Sequence, residues 1–485
     1  MKEGVKWGAL QQPAQVDRII GVVSVVLTFC GIMAIDRMIM RHIYLDNAAT
    51  TPLDSGVKQA MEPYFGDVYG NPNSLHWFGQ QARAAVDRSR ESIANAIGAR
   101  FREIIFTGSA TEANNLAIRG AVHYARTSFE QCYPEQPMKI IVSAIEHDSV
   151  LATARELEKE GVEVVYISVD EQGFADAKKI TDALDERTVL VSVMYANNEI
   201  GSIQPIKAIA DGIKQFRARE HALPHYPLLH TDAVQAFQFL DCTVDELGVD
   251  LLTLSAHKIY GPKGIGALYV RTMNTVMHKS GDRVHLIRPR VVGGGQEFGM
   301  RSGTEHVAAI AGFSRAVELA VAHRSGETKR LAQLRALLWD GIQQVCPDAR
   351  INGMEMDTGL RRYDKMQRNG NASAVVTPAE AGVQVKGSRT LNSRLRGDGK
   401  STLPNILNVY FPGKKGGDLL IALDMRGIAV SSGSACAAFS AKPSHVLAAL
   451  GFDDTRAGGS LRFSFGRPTT AEDIGHAIDV LREVL

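Results

Sequence analysis

Between Ile104 and Val270, short apolar, β-branched runs alternate with longer stretches of helical periodicity. The runs are Ile104–Phe106, Lys139–Ser143, Glu163–Ser168, Val189–Met194, Leu228–His230, Asp250–Leu254 and Ile265–Val270. Between them, Val150–Glu160 and Ile206–Arg219 repeat their apolar residues at the spacing of an amphipathic helix. Strands that are apolar nearly throughout are covered on both faces. The pattern therefore predicts an α/β fold with a mainly parallel sheet between helices. A first strand is predicted at His42–Leu45, and from about Ala322 helices mix with short strands, as in a smaller α+β domain. The expected boundaries are a leader over 1–40, an arm over 41–56 that joins the small domain, a large domain over 57–324 and a small domain over 325–485.

Two stretches break the pattern. Ile19–Ile35 is an uncharged apolar run between Arg18 and the pair Asp36-Arg37, at the short limit for a membrane span of about 17–25 residues. With Met38 and Met40 just before the first predicted strand, the leader reads as upstream sequence translated from too early a start; membrane association through 19–35 is the alternative. Residues 356–402 are rich in Gly, Ser, Asn and Arg with little periodicity, too long for an ordinary connection inside a compact domain. They read as a disordered insertion in the small domain, with a basic binding tail as the other reading. The stretch TPAEAGVQVKGSRTLNSRLRGDG within it resembles translated interspersed repeats of bacterial genomes.

Composition narrows the classes. A chain of 485 residues exceeds one compact core. Its 54 Lys and Arg against 53 Asp and Glu give a formal charge of +1, so no charge bias points to direct nucleic-acid binding. The five cysteines are scattered, odd in number and without metal-ligand spacing. That excludes a disulfide framework, predicts no metal site and fits a reducing, cytoplasmic setting.

Ligands of open parallel sheets bind beyond the carboxyl ends of the strands, and polar residues follow four of the predicted strands. They are Glu146-His147-Asp148, Asn197-Asn198-Glu199, Thr231-Asp232 with Gln235, and Ser255-Ala256-His257-Lys258. The set suits pyridoxal 5'-phosphate, which needs a lysine to carry it, an acid at its pyridine nitrogen and a phosphate cup. Lys258 and Asp232 fill the first two needs. Thr107-Gly108-Ser109-Ala110-Thr111-Glu112 leads from a strand into a helix, whose free amides favour phosphate; Ser109 and Glu112 also have capping-box spacing, so a plain helix cap is the other reading. His147 is a candidate for moving protons over the ring or for a structural role. Arg462 is a candidate clamp for a substrate carboxylate, or a surface ion pair. Ser431–Ala438 is a run of small residues around Cys436, which favours a reactive thiol over a packed one.

With these residues assembled, the chain resembles the cysteine desulfurases of the NifS/IscS type, class V aminotransferase-like enzymes of pyridoxal-phosphate fold type I. The resemblance runs in order through YLDNAATTP (44–52), YGNPNSLH (69–76), FTGSATEANN (106–115), EHDSV (146–150), NNEIG (197–201), HTDAVQ (230–235) and SAHKIYGPKGIG (255–266). It continues through MRSGTEH (300–306), PNILN (404–408), SSGSACAA (431–438) and LRFSFGRPTT (461–470). It implies that the large domain binds the cofactor, with Lys258 carrying it and Asp232 at the ring nitrogen. Gln235 and Asn198 are expected near the ring oxygen and substrate, and His147 stacked on the ring moving protons. Ala110, Thr111, Ser255 and His257 are expected to hold the phosphate, joined by Thr304 from the partner subunit of a homodimer. Arg462 is expected to hold the substrate carboxylate.

The reaction so implied removes sulfur from L-cysteine, leaving L-alanine and a persulfide on Cys436, which attacks as the thiolate. The sulfur then passes to an acceptor such as an iron–sulfur scaffold or a tRNA-thiolation protein, and Cys436 transiently contacts an iron–sulfur cluster in such transfers. Three departures stand out: Gly108-Ser109-Ala110 in the cup, the insertion, and an end at Leu485 short of the tail with which some members bind their scaffold. The alternatives are a related pyridoxal-phosphate lyase or transaminase, and a remnant disabled by the insertion.

Overall fold

The computed structural model describes residues 41–133, 135–219, 225–277, 283–354, 400–433 and 443–485. The leader with Ile19–Ile35, nearly all of the expected insertion, and Cys436 lie outside the described residues. Among the described residues no helix is long and apolar enough to cross a membrane.

The arm enters through β1 (Ile43–Tyr44), and the large sheet is built from β2 (Ile104–Thr107), β3 (Lys139–Ser143), β4 (Glu163–Ile167), β5 (Thr188–Ser192), β6 (Leu228–Asp232), β7 (Leu251–Ser255) and β8 (Gly266–Val270). These lie in the order β2-β8-β7-β6-β5-β3-β4. Neighbours pair in parallel except β8, which is antiparallel to both β2 and β7. Every residue of β2, β3, β5, β6, β7 and β8 is buried, whereas edge strand β4 is mostly half-buried. Helices on both faces account for the nearly unbroken apolar runs.

After a short hairpin, β9 (Thr272–Met277) with β10 (Arg283–His285), the helix Val307–Val345 crosses the expected boundary at 324 and 325 without a break. The second half of the molecule holds β11 (Arg350–Ile351), β12 (Ile406–Tyr410) and β14 (Ser460–Ser464) in one antiparallel sheet, while β13 (Ile428–Ala429) pairs in parallel with β1. The arm thus pairs with this half through β1. The connection from β11 to β12 contains the expected insertion, and its end is fastened to the large sheet's side. Lys400 pairs with Asp170 at 2.6 Å, the Ser401 carbonyl accepts from Ile203 N–H, and Thr402 bridges Ser202.

Candidate active site

Because β2 runs parallel to β7, the ends of β2, β3, β5, β6 and β7 open on one edge of the sheet. Each carries one of the expected polar groups.

At β2, Ser109 caps the helix Ala110–Cys132. Its Oγ accepts from Glu112 N–H at 3.1 Å and its carbonyl from Ala113 N–H. Among the described residues the amides of Ala110 and Thr111 have no partner. Two donors at the positive end of a long helix make an anion seat. Capping-box spacing would turn the Glu112 carboxylate to the amide of Ser109, but it accepts from Gly108 N–H at 2.7 Å while Arg301 Nε holds its other oxygen at 2.8 Å. Gly266 on β8 pairs with Thr107 on one side and Ser255 on the other. A Cβ there would stand 2.7 Å from the Ser109 carbonyl carbon and 2.9 Å from Ala110 N, so only glycine lets the cup rest on the strand. Ser255 is thereby brought beside the cup.

Past β7, the turn Ala256–Lys258 is locked to the arm. Thr51 Oγ1 donates to the His257 carbonyl at 2.9 Å, and Thr50 Oγ1 lies 3.1 Å from His257 Nδ1. Burial, helped by the positive charges of Lys258 and Lys263, pushes the His257 pKa down to about 4, so the ring is uncharged at neutral pH. Lys258 Nζ donates to the carbonyls of Ala48 and Ala49 at 2.6 and 2.7 Å, and Gln235 Nε2 donates to the same Ala48 carbonyl at 3.0 Å. One carbonyl of the arm thus gathers two of the expected groups.

Asp232, at the end of β6, is buried. Its Oδ1 accepts from Val234 N–H at 3.0 Å and its Oδ2 from Asn114 Nδ2 at 2.8 Å, with no cation beside it among the described residues. A buried carboxylate in that position is costly unless a positive group joins it. Together with the unpartnered amides of the cup and Lys258, this donor and acceptor set fits pyridoxal phosphate, whose protonated ring nitrogen would supply the missing cation.

His147 caps the helix Asp148–Lys159, its Nδ1 accepting from Ser149 N–H at 3.1 Å. Glu146 beside it is fully buried. Arg462, on β14, is not at the surface: it is 1% exposed, donating to the Asn198 carbonyl at 2.9 Å and to Asp46 Oδ1 at 2.7 Å, with Nε unpartnered among the described residues. The guanidinium therefore joins the end of β5 to the arm. Thr304 is exposed, three residues beyond the Arg301 that grips Glu112. The described residues flanking Cys436 return to one point. A Cβ on Gly433 would lie 3.4 Å from Glu199 Oε2, and Ser444 Oγ donates to that oxygen at 2.6 Å. Ser431, just before, bridges Arg462. Of the described cysteines, Cys132 is exposed, Cys346 half-buried, and Cys242 buried with its thiol pushed up to about 12.

Asn114, Ser149 and Asp46 were not expected from the sequence as site residues. Each lies inside a stretch of the resemblance, but Asn114 and Ser149 sit in helices, where a polar residue carries no signal of what it faces.

The aminotransferase class-V family matches residues 43–363 and 388–476, and the gap between them falls inside 356–402. Cysteine desulfurase IscS of Dictyoglomus turgidum is 39% identical over 445 residues, covering 92% of this chain and 95% of its own length. Cysteine desulfurase IscS of Escherichia coli O139:H28 is 39% identical over 444 residues, covering 91% and 92%. Among solved structures, a NifS-like protein superposes with a TM-score of 0.72 at 32% identity, covering 91% of this chain and 99% of its own. SspA in complex with cysteine gives 0.61 at 32%, covering 87% and 98%. The chain belongs to the class-V aminotransferase family, as a pyridoxal-phosphate-dependent enzyme of the cysteine desulfurase type.

Proposed function

We propose that this chain removes sulfur from L-cysteine, releasing L-alanine and leaving a persulfide on Cys436. The observation that carries the reading is the buried Asp232, with no cation beside it among the described residues, on the same sheet edge as Gln235 and Lys258, which are fixed on one carbonyl. Pyridoxal phosphate, held by Lys258, Asp232, Ala110, Thr111, Ser255 and His257, supplies an electron sink that makes the substrate's Cα proton and its carbon–sulfur bond labile. The protein's own residues do the rest.

Arg462 holds the substrate carboxylate, with Asp46 and the Asn198 carbonyl fixing the plane of its guanidinium. The Lys258 amine would take and return the Cα proton. His147 would help to hold the cofactor. The Cys436 thiolate attacks the substrate sulfur, so a sulfur–sulfur bond forms as the carbon–sulfur bond breaks. Thr304, exposed on its loop, completes the partner's phosphate site in a homodimer. The acceptor of the persulfide is an iron–sulfur scaffold or a tRNA-thiolation protein. The unpaired thiols of Cys132, Cys242 and Cys346 suit a reducing, cytoplasmic setting.

The test is to mix purified, pyridoxal-phosphate-loaded protein with L-cysteine and a reductant, and to quantify sulfide and alanine. Equimolar products are expected, falling at least about 100-fold in both Lys258→Ala and Cys436→Ala, the scale on which loss of a nucleophile or base acts. Alanine undiminished in Cys436→Ala would remove that thiol from the reaction and favour a different lyase.

A further inference from the structure

The environment of His147 fixes which ring nitrogen carries its proton. Nδ1 lies 3.1 Å from the backbone N–H of Ser149 and 2.9 Å from Ser149 Oγ. A backbone N–H can only donate, so Nδ1 accepts, and a ring nitrogen that accepts bears no hydrogen. The single hydrogen of such a ring sits on Nε2, which has no hydrogen-bond partner among the described residues.

The hydroxyl of Ser149 is directed the same way. Its oxygen already accepts from Asn114 Nδ2 at 2.9 Å. The orientation of Asn114 is set in turn by Asp232, whose carboxylate only accepts and takes the second Nδ2 hydrogen at 2.8 Å. Asn114 is 0% exposed and Ser149 is buried, so no solvent competes for these groups. Donors therefore run outward from Asn114, to Asp232 on one side and through Ser149 to His147 on the other.

We propose that Asn114 and Ser149 are positioning residues that hold His147 as its Nε2–H tautomer, so that this imidazole meets the substrate as a hydrogen-bond donor and not as a base. To act as a base at Nε2 the ring would need its hydrogen on Nδ1, facing the N–H of Ser149. Proton removal is thereby left to the Lys258 amine. The inference rests on the desulfurase reading for the identity of the substrate; the tautomer does not.

The test is nitrogen NMR of the holoenzyme labelled with ¹⁵N-histidine, with His147 assigned by its loss in His147→Gln. The expected result is a pyrrole-like Nε2 and a pyridine-like Nδ1. Ser149→Ala, which keeps the backbone donor, should retain that pattern. Asn114→Ala frees the hydroxyl to turn and should bring in a share of the Nδ1–H form, and Ser149→Pro, which removes both donors, a larger one. An unchanged circular dichroism spectrum serves as the check on folding. A pyrrole-like Nδ1 in the unmodified enzyme overturns the proposal, as does an Asn114→Ala spectrum identical to it. Neither reading depends on turnover, so a protein inactive toward cysteine would still decide the tautomer.

Discussion

Glu146 sits between the end of β3 and the helix that His147 caps. One carboxyl oxygen accepts from Ser143 Oγ and from Met194 N–H, both at 2.6 Å, and the other is buried without a partner among the described residues. Burial pushes its pKa from 4.5 up to about 8; the hydrogen bonds of Ser143 and Met194 oppose the rise and the charge of Asp232 adds to it. In the unfolded chain the group ionises near its ordinary value, whereas the folded protein keeps the proton until about pH 8. The folded state binds the extra proton between those limits, so stability falls as pH rises through the window, by up to about 1.4 kcal/mol per pH unit. Glu146→Gln, which cannot ionise, should lose this slope: its Tm should gain on the parent holoenzyme steadily from pH 5 to pH 8. A Tm difference constant over that range would show that Glu146 is already ionised. Glu146, His147, Asn198, Asp232 and Lys258 were expected from the sequence because each ends or follows a predicted strand of a parallel sheet. Asn114 and the carbonyl of Ala48 were not: one is a polar residue within a helix, and the other is a backbone atom common to every residue.

Strands and helices act on the site through their backs as much as their ends. Gly266 on β8 touches no expected ligand, yet its missing Cβ is what allows the cup to lie against the strand. Gly266→Ala should lower pyridoxal-phosphate affinity at least about 10-fold, the scale of a kcal/mol or two of overpacking, as read by titration of cofactor fluorescence. Unchanged affinity would mean that the helix start shifts freely and the cup is not rigid. The loop before Thr304 shows what spacing could not reveal. Arg90 and Glu297, 207 positions apart, form a fully buried bidentate pair at 2.6 and 2.7 Å, and Glu297 also accepts from Phe106 N–H on β2. Glu297 and Phe298 both have left-handed backbone, φ of 50° and 57°, a cost such a lock offsets. No local pattern announces a pairing between elements so distant in the chain.

At the scale of the whole molecule, apolar periodicity in the sequence reports which segments are buried, but not how the two halves interlock. Side chains cross between them beside the backbone links at Ser401–Leu403: Arg462 to the Asn198 carbonyl, Ser444 to Glu199 and His445 Nε2 to the Glu146 carbonyl. The β11–β12 connection enters beside Gly353, packed near Ile200, and leaves at Lys400–Thr402, so both of its ends are held. Replacing residues 355–399 with a short Gly/Ser link should therefore keep cofactor uptake and alanine formation. Stability should change by less than about 2 kcal/mol, because each doubling of a connection costs only about 0.6 kcal/mol. Denaturant unfolding and the alanine assay check this, and a colourless product would give the segment a structural part in the site.

The arm residues that gather Lys258 and Gln235 are themselves held from far down the chain. Asn47 and Ala48 bond to Ser464, the former across 417 positions. On a ribosome the beginning of the site thus waits, unfastened, until nearly all of the protein has emerged. Loading of the vitamin-derived cofactor is then an event of the finished polypeptide, and a truncated nascent chain cannot sequester it.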